Sequence, residues 1–301
     1  MLSTHWWPTS EPGCSARQMP DDGSVTWREL QRDASRVVGM QEARWIVERV
    51  SGYNTAELLA NDHERVSNRA VAYFDQLIAR RVGGEPIQYV LGRWGFRSLD
   101  LYVDHRVLIP RPETEVVAGV AVDHLRAFKG NRIAVDLGTG SGAIALSLAT
   151  EVGDALVVAT DVSADALAVA RANTAGIGGR VATRITLLEG SWFSALPSDL
   201  AGRVAVLVSN PPYVGIEDEL DPAVREWEPH SALFAPEEGR GHLRELISSA
   251  PTWLAQGGAL VLEMAPHQTQ WAAEQADACG LHDVRIVSDL AGRLRVLVAV
   301  C

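Results

Sequence analysis

The sequence predicts an α/β fold, in which a mostly parallel sheet of seven strands is covered by helices on both faces and follows a small all-helical domain. Two observations lead to this prediction. From residue 131 onward, short apolar runs alternate with helical segments, a pattern typical of a parallel sheet. Before residue 85, apolar residues recur instead at the spacing of amphipathic helices.

The helical region contains three segments that place an apolar stripe between charged faces: TWRELQRDASRVVG, QEARWIVERVSG and ERVSNRAVAYFDQLIARRV. The last helix is broken by GGEP. The next stretch, RWGFRSLDLYVDHRVLIPRPETE, predicts one hairpin and a proline-punctuated loop. We expect a disordered leader at 1–22, a helical domain at 23–85, a connector at 86–115 and a sheet domain at 116–301.

Seven apolar runs predict the strands of the sheet: RIAVDLG, ALVVATD, RITLLEG, VAVLVSN, GALVLEM, DVRIVSD and LRVLVAV. The last two runs are close together in sequence, as expected for an antiparallel pair. SGAIALSLATEV and SADALAVARANTA predict helices between the strands, the second with Ser163 as its N-cap.

Composition narrows the possible partners and the location. The formal net charge of −11 argues against a direct nucleic-acid partner, because a protein that follows a phosphate backbone normally has a basic face. The three cysteines, Cys14, Cys279 and Cys301, have neither disulfide nor metal-ligand spacing, which favours a reducing, cytoplasmic location and no metal. No apolar run reaches the roughly 18 residues of a membrane helix, so we expect no membrane partner.

A glycine-rich loop, VDLGTGSGA, follows the first strand, at the edge where open parallel sheets bind ligands. Its glycines let the backbone approach a ligand closely. Asp161 ends the second strand and can accept hydrogen bonds from both hydroxyls of a ribose; alternatively, it belongs to a solvated helix cap beside Ser163. Loop and acid together predict an adenosine-containing ligand. They do not identify it, because Ala143 also completes the G-x-G-x-x-A of dinucleotide-binding enzymes.

The fourth strand ends in Asn210-Pro211-Pro212-Tyr213, and this motif separates the two cofactor classes. An amide nitrogen is a poor nucleophile because its lone pair is delocalised. The Asn210 oxygen and the Pro211 carbonyl can accept its two N–H bonds, aim the lone pair at a methyl donor and stabilise the developing charge. The prolines fix the carbonyl direction, and Tyr213 can offer a π face to positive charge. The motif therefore favours a Rossmann-like, seven-stranded class I methyltransferase that depends on S-adenosylmethionine.

The chain resembles the HemK/PrmC family of protein-(glutamine-N5) methyltransferases over nearly all of residues 26–301. The resemblance rests on EPIQYVLG, LIPRPETE, DLGTGSGAIALSLA, GSWFSAL, SNPPY, EPHSALFAPEEG and DLAGRLRVLVAV. It implies methylation of the glutamine in the Gly-Gly-Gln motif of class 1 peptide chain release factors, which would be the protein partner of a monomeric enzyme. It also implies that the helical domain recognises the body of the release factor.

The resemblance also implies a role for each matching position. The residues expected to bind S-adenosylmethionine are Gly138, Thr139, Gly140, Ser141, Gly142, Asp161, Trp192 and Asn210. The residues expected to hold the glutamine amide are Asn210, Pro211, Pro212 and Tyr213, with Asn210, Pro211 and Tyr213 serving catalysis. Phe96 and residues 111–115 are expected to wall the glutamine entrance. Ser191 stands where family members often carry an acid beside the adenine.

Four alternatives remain open at this point. One is a glutamine methyltransferase that acts on a ribosomal protein of the large subunit. The glycine loop and the N-P-P-Y motif cannot distinguish such an enzyme from one that acts on release factors. A DNA adenine N6-methyltransferase is disfavoured because the chain has no obvious basic stretch and no spare length for target recognition. A dehydrogenase has no use for N-P-P-Y. A non-catalytic cofactor-binding protein is disfavoured because Asn210 and the glycine loop are intact.

Overall fold

The computed structural model describes residues 25–301, and the predicted leader at 1–22 lies outside the described residues. The chain forms two compact units, and the boundary between them lies between Leu91 and Gly92. The described part of the first unit contains the predicted helical region, and the second unit contains the seven-stranded sheet. The prediction of a seven-stranded α/β domain preceded by helices is therefore confirmed.

The first unit combines helices with one short strand pairing. Its helices are α1 (Trp27–Val38), α2 (Met40–Ser51), α3 (Thr55–Asn61), α4 (Asn68–Val82) and α5 (Ile87–Leu91). Its strands, β1 (Val25–Thr26) and β2 (Arg65–Val66), pair antiparallel.

Capping side chains decide where these helices begin. Thr26 and Glu29 form a reciprocal capping box at the start of α1, which satisfies backbone N–H groups that have no partner within the helix. The predicted third helix begins at Asn68 rather than at Glu64, because β2 pairs with β1 and the Ser67 side chain accepts a hydrogen bond from the Ala70 N–H. The short helix α3 was not predicted from the sequence.

The core of the first unit lies where the apolar stripes of α1, α2 and α4 meet. Leu30, Ile46, Leu77 and Ile78 are all fully buried there. Burial of each such side chain stabilises the fold by about 1.5–3 kcal/mol. The helical period read from the sequence therefore identifies the faces that pack together.

The second unit begins with a hairpin of β3 (Trp94–Phe96) and β4 (Leu99–Leu101). An irregular segment follows and leads into α6 (Pro112–Ala127). Proline at the first position of α6 suits a helix start, because the N–H that it lacks would have no partner within the helix.

The sheet has the order β10-β11-β9-β8-β5-β6-β7. Its strands are β5 (Ile133–Leu137), β6 (Leu156–Asp161), β7 (Ile185–Glu189), β8 (Val204–Ser209), β9 (Leu254–Glu263), β10 (His282–Ser288) and β11 (Leu294–Val300). The remaining helices are α7 (Ala143–Glu151), α8 (Ala164–Ile177), α9 (Gly179–Ala182), α10 (Pro222–Trp227), α11 (Gly241–Trp253) and α12 (Thr269–Ala278). The expected antiparallel pairing of the last two strands is confirmed, and β11 is also antiparallel to β9.

The central strand β5 marks the point at which the strand order reverses. It pairs in parallel with β6 on one side and with β8 on the other. The chain passes from β5 to β6 and β7, then returns to the opposite side for β8 and β9. The loops after β5 and β8 therefore diverge at the carboxyl edge of the sheet, which is where such folds bind ligands.

Within residues 25–301, no helix is both long enough and apolar enough to cross a bilayer. The same residues contain no group of three or more His, Cys, Asp or Glu side chains that could hold a metal ion. Cys279 and Cys301, the cysteines in this part of the chain, are both free thiols.

Candidate active site

A cavity of about 400 Å³ lies at the carboxyl edge of the sheet, beside the ends of β5, β6 and β8. The predicted site residues that line it are Gly138, Thr139, Gly140, Ser141, Asp161, Trp192, Asn210 and Pro212. The other three predicted residues, Gly142, Pro211 and Tyr213, lie next to lining residues in the chain but do not line the cavity themselves. One cavity thus brings together segments that are widely separated in sequence.

The glycine loop after β5 requires glycine for conformational and for steric reasons. Gly138 has a φ of 75°, and a Cβ atom there would lie 3.3 Å from the Trp192 ring. Gly142 has a φ of 85°, and a Cβ atom there would lie 3.3 Å from the Leu146 side chain. Both positions have the left-handed backbone that glycine adopts readily. Gly142 therefore permits the packing of the loop, while Gly138 also faces the cavity.

Asp161 is fixed by the backbone around it and still faces the cavity. One carboxylate oxygen accepts a hydrogen bond from the Gly140 N–H at 2.8 Å, and the other accepts from the Ser163 N–H at 2.9 Å. Burial raises the pKa of Asp161, and these backbone hydrogen bonds oppose that rise. A carboxylate has about four lone-pair positions, so each oxygen can accept a further hydrogen bond from a ligand. Ser163 caps α8, as predicted.

Asp136 lies beneath the glycine loop and is fully buried. One of its oxygens accepts hydrogen bonds from the Thr139 hydroxyl at 2.6 Å and the Ala145 N–H at 3.1 Å. The other oxygen is buried and has no hydrogen-bond partner among the described residues. Burial raises the pKa of Asp136 to about 7. This carboxyl group is therefore poised between its two protonation states near neutral pH.

Trp192 and His242 form an aromatic wall of the cavity. Their ring centroids are 5.2 Å apart, with an angle of 59° between the ring planes. Trp192 adopts a left-handed backbone with a φ of 45°, directly after Ser191. Burial lowers the pKa of His242, which favours its neutral form. His242 lies near the start of α11 and lines the cavity.

The Asn-Pro-Pro-Tyr motif follows β8 and is held by several hydrogen bonds. The Tyr213 hydroxyl donates to Glu263 at 3.2 Å, and the Tyr213 carbonyl accepts from the Gln268 side chain at 2.9 Å. Gly239 packs so closely that a Cβ atom there would lie 2.1 Å from the Tyr213 carbonyl oxygen. The backbone of the motif therefore has little room to move.

A buried chain of hydrogen bonds links Asn210 to the neighbouring strand. The Asn210 amide donates to the Thr114 hydroxyl at 3.0 Å, and that hydroxyl donates to Glu263 at 2.7 Å. Thr114 and Glu263 are 5% and 1% exposed. Burial raises the pKa of Glu263 to about 7, against the opposing effects of Thr114, Arg295 and Tyr213. The Asn210 Oδ1 atom has no hydrogen-bond partner among residues 25–301.

Another part of the cavity lining comes from the segment before α6. Val107, Leu108 and Pro110 line the cavity. Glu228 is 4% exposed, accepts a hydrogen bond from the Ile109 N–H at 3.1 Å and forms an ion pair with Arg111. A single buried carboxylate therefore fixes this wall.

The structure revises the expected entrance residues. Phe96 is 1% exposed and does not line the cavity, because its side chain packs into the core. Within 111–115, only Thr114 lines the cavity. Glu113 pairs instead with Arg293, and Glu115 accepts a hydrogen bond from a backbone N–H.

Sequence reasoning missed Glu263 as part of the site. The signal that could have identified it is its position: an acid directly at the carboxyl end of a buried parallel strand, GALVLE, as Asp161 is at the end of β6. Register then places it beside the motif, because Ser209 of β8 pairs with Leu262 of β9.

The strand order and a glycine-lined cavity at the switch point are those of a Rossmann-like methyltransferase. A methyltransferase structure from Pyrococcus furiosus shares the fold, with a TM-score of 0.50 and 19% identity over 74% of this chain and 95% of that one. The family model described as PrmC N-terminal domain matches residues 39–92, and the one described as Methyltransferase small domain matches residues 117–226.

Two curated relatives extend this likeness over most of the chain. The release factor glutamine methyltransferase of Bordetella pertussis is 40% identical over 256 residues, which is 85% of this chain and 92% of the relative. The protein of the same name from Caulobacter vibrioides is 36% identical over 263 residues, 86% of this chain and 88% of the relative. The chain belongs to the family of release factor glutamine methyltransferases.

Proposed function

We propose that the chain transfers the methyl group of S-adenosylmethionine to the side-chain N5 of the glutamine in the Gly-Gly-Gln motif of class 1 peptide chain release factors. The observation that carries the proposal is the position of Asn210. Its Nδ2 atom is engaged by Thr114, while its Oδ1 atom has no partner among residues 25–301 and the residue lines the cavity shared with the glycine loop. An acceptor so placed suits an incoming amide N–H.

The residues at the cavity fit S-adenosylmethionine. The loop from Gly138 to Ser141 presents backbone to the cavity without side chains at its glycines, and the Asp161 carboxylate retains lone pairs for ribose hydroxyls. Trp192 and His242 supply flat surfaces for a heterocycle. Ser191 lines the same wall and can form a hydrogen bond where family members often carry an acid. When bound, this cofactor supplies an electrophilic methyl group on a sulfonium.

The protein's own contribution to the reaction is to orient the glutamine amide. The Asn210 Oδ1 atom, in a residue that lines the cavity, is assigned one of the amide's N–H bonds, and the carbonyl of Pro211, which follows Asn210 in the chain but does not line the cavity, is assigned the other. This arrangement directs the nitrogen lone pair toward the methyl group. With S-adenosylmethionine bound, the nitrogen would become positive as it takes the methyl group from the sulfonium, and the Asn210 and Pro211 oxygens would stabilise that charge. The extra proton then leaves to water. No side chain is required as a general base.

The Tyr213 hydroxyl donates a hydrogen bond to Glu263, which holds the Tyr213 ring in place. Burial, together with the nearby Glu263 carboxylate, raises the pKa of Tyr213, so the phenol stays neutral. We assign Tyr213 to fixing the motif rather than to the predicted π contact with the nitrogen, because the residue does not line the cavity.

Domain roles follow from the same proposal. The helical domain, predicted at 23–85, recognises the body of the release factor, and the connector at 86–115 contributes the segment that walls the cavity. The domain at 116–301 performs the transfer. The enzyme acts as a monomer in the cytoplasm. It does not bind nucleic acid directly, in keeping with its net charge of −11.

A transfer assay with methyl-labelled S-adenosylmethionine tests the proposal. The acceptors are a purified class 1 release factor, the same factor with its motif glutamine replaced by alanine, large-subunit ribosomal proteins and DNA. Label on the first acceptor and none on the second is the expected result. Label on ribosomal protein alone would keep glutamine chemistry and change the substrate, and label on DNA alone would overturn the proposal.

A further inference from the structure

The hydrogen bonds around Thr114 have a definite direction. A threonine hydroxyl carries a single hydrogen. The contact to Glu263 is the shorter one, at 2.7 Å, and the ionised form of this carboxyl group, present above its pKa of about 7, can only accept there. When Glu263 is ionised, the hydroxyl hydrogen therefore points to it, and the Thr114 oxygen presents only lone pairs to Asn210.

This direction determines which way round the Asn210 amide lies. Its NH₂ group must face Thr114, at 3.0 Å, because two acceptors cannot share a hydrogen bond. The amide is planar, so Oδ1 then points away from Thr114. A reversed amide would bring Oδ1 against the lone pairs of the hydroxyl and turn two N–H donors toward the substrate's own N–H groups.

We infer that Thr114 is a positioning residue that, held by Glu263, fixes the Asn210 amide with its oxygen toward the substrate nitrogen. The inference rests on the proposed function, to which it adds residues outside the N-P-P-Y motif. Thr114 acts through Asn210 and takes no part in the bonds that form and break.

Three elements converge to build this arrangement. Thr114 lies in the first turn of α6, Asn210 directly follows β8, and Glu263 ends β9. The same Glu263 carboxylate uses its other oxygen to accept the Tyr213 hydroxyl at 3.2 Å. One buried acid therefore fixes both polar ends of the N-P-P-Y motif.

Thr114→Val tests the inference, because valine keeps the shape of threonine and removes only the hydroxyl. We expect kcat for methylation of the release factor to fall about 10- to 100-fold, as for other losses of alignment or of a charge-stabilising group. The dissociation constant of S-adenosylmethionine, measured by calorimetry, should not change. Thr114→Ser retains the hydroxyl and should recover most of the wild-type kcat.

A double-mutant cycle separates positioning from packing. In an Asn210→Ala background, Thr114→Val should cause no further loss of kcat, since Thr114 acts only through Asn210. Independent, multiplicative losses would overturn the inference. So would an unchanged kcat in Thr114→Val, or an equal loss in the valine and serine variants.

If Thr114→Val fails to fold, Glu263→Gln provides the second measurement. A glutamine amide can turn either its oxygen or its NH₂ to Thr114, so the hydroxyl loses its fixed direction. A reduced kcat with unchanged cofactor binding is expected, and a wild-type kcat would overturn the inference. Failure of the proposed function would look different, since the wild-type chain itself would then not methylate the release factor.

Discussion

Asp136→Asn should change how the stability of the second unit depends on pH. Burial raises the pKa of Asp136 to about 7, from an ordinary value of 3.8. A carboxyl group whose pKa is raised on folding destabilises the folded state as pH increases, because the unfolded chain loses this proton near pH 4 and the folded chain retains it to about pH 7. At 1.36 kcal/mol for each pH unit, that interval corresponds to about 4 kcal/mol.

The assay is urea unfolding of both proteins at a series of pH values, with hydrogen exchange of the β5 amides as a reporter that belongs to the second unit alone. The free energy of unfolding of the wild type, minus that of Asp136→Asn, should fall by about 4 kcal/mol between pH 4 and pH 8. Subtraction cancels the other titrating groups that the two proteins share. A difference that stays constant over this range would refute the raised pKa.

Asp104→Asn is the matched control with the opposite sign. Burial disfavours the charged form of Asp104, but hydrogen bonds from Arg106 and Tyr102 outweigh it and lower the pKa to about 2. The stability from this group is present above pH 4 and is lost as pH falls toward 2. The free energy of unfolding of the wild type, minus that of Asp104→Asn, should therefore not decrease between pH 4 and pH 8.

Two further variants test the walls of the cavity. Gly239→Ala should abolish most activity and lower the melting temperature, because its Cβ atom would lie 2.1 Å from the Tyr213 carbonyl oxygen. The control, Gly257→Ala, has a similar positive φ but nothing within 4 Å of its Cβ atom, and it should keep its activity. An equal loss of activity in both variants would contradict the argument. Glu228→Gln should raise KM for the release factor without altering the affinity for the cofactor, because the variant loses the ion pair with Arg111 that fixes this wall of the cavity. An unchanged KM would show that the wall does not contact the substrate.

Local patterns in the sequence were sufficient for the sheet and for the loops at its edge. Each strand is a short apolar run, and the glycines of the β5 loop and the N-P-P-Y motif after β8 stand at strand ends, where parallel sheets bring them together. The short pairing of β1 with β2 escaped prediction because two-residue strands carry no periodic signal. Because of this pairing, α4 begins at Asn68 rather than at the predicted Glu64.

The parts of the site that depend on long-range packing could not be predicted. Thr114 and Glu263 are 149 residues apart, and only the docking of α6 against the end of β9 brings them into contact. Phe96 illustrates the opposite error, since an aromatic residue near a functional motif turned out to belong to the core. Glu228 likewise fixes the wall at Ile109 across 119 residues of sequence.

The most direct test of the central claim is where the methyl group goes and whether Asn210 directs it. Mass spectrometry of a class 1 release factor after single-turnover reaction should show one added methyl group, on the glutamine of its Gly-Gly-Gln motif. With Asn210→Ala the rate should fall about 100-fold or more, while S-adenosylmethionine still binds. Methylation elsewhere in the release factor, or a wild-type rate in Asn210→Ala, would contradict the account.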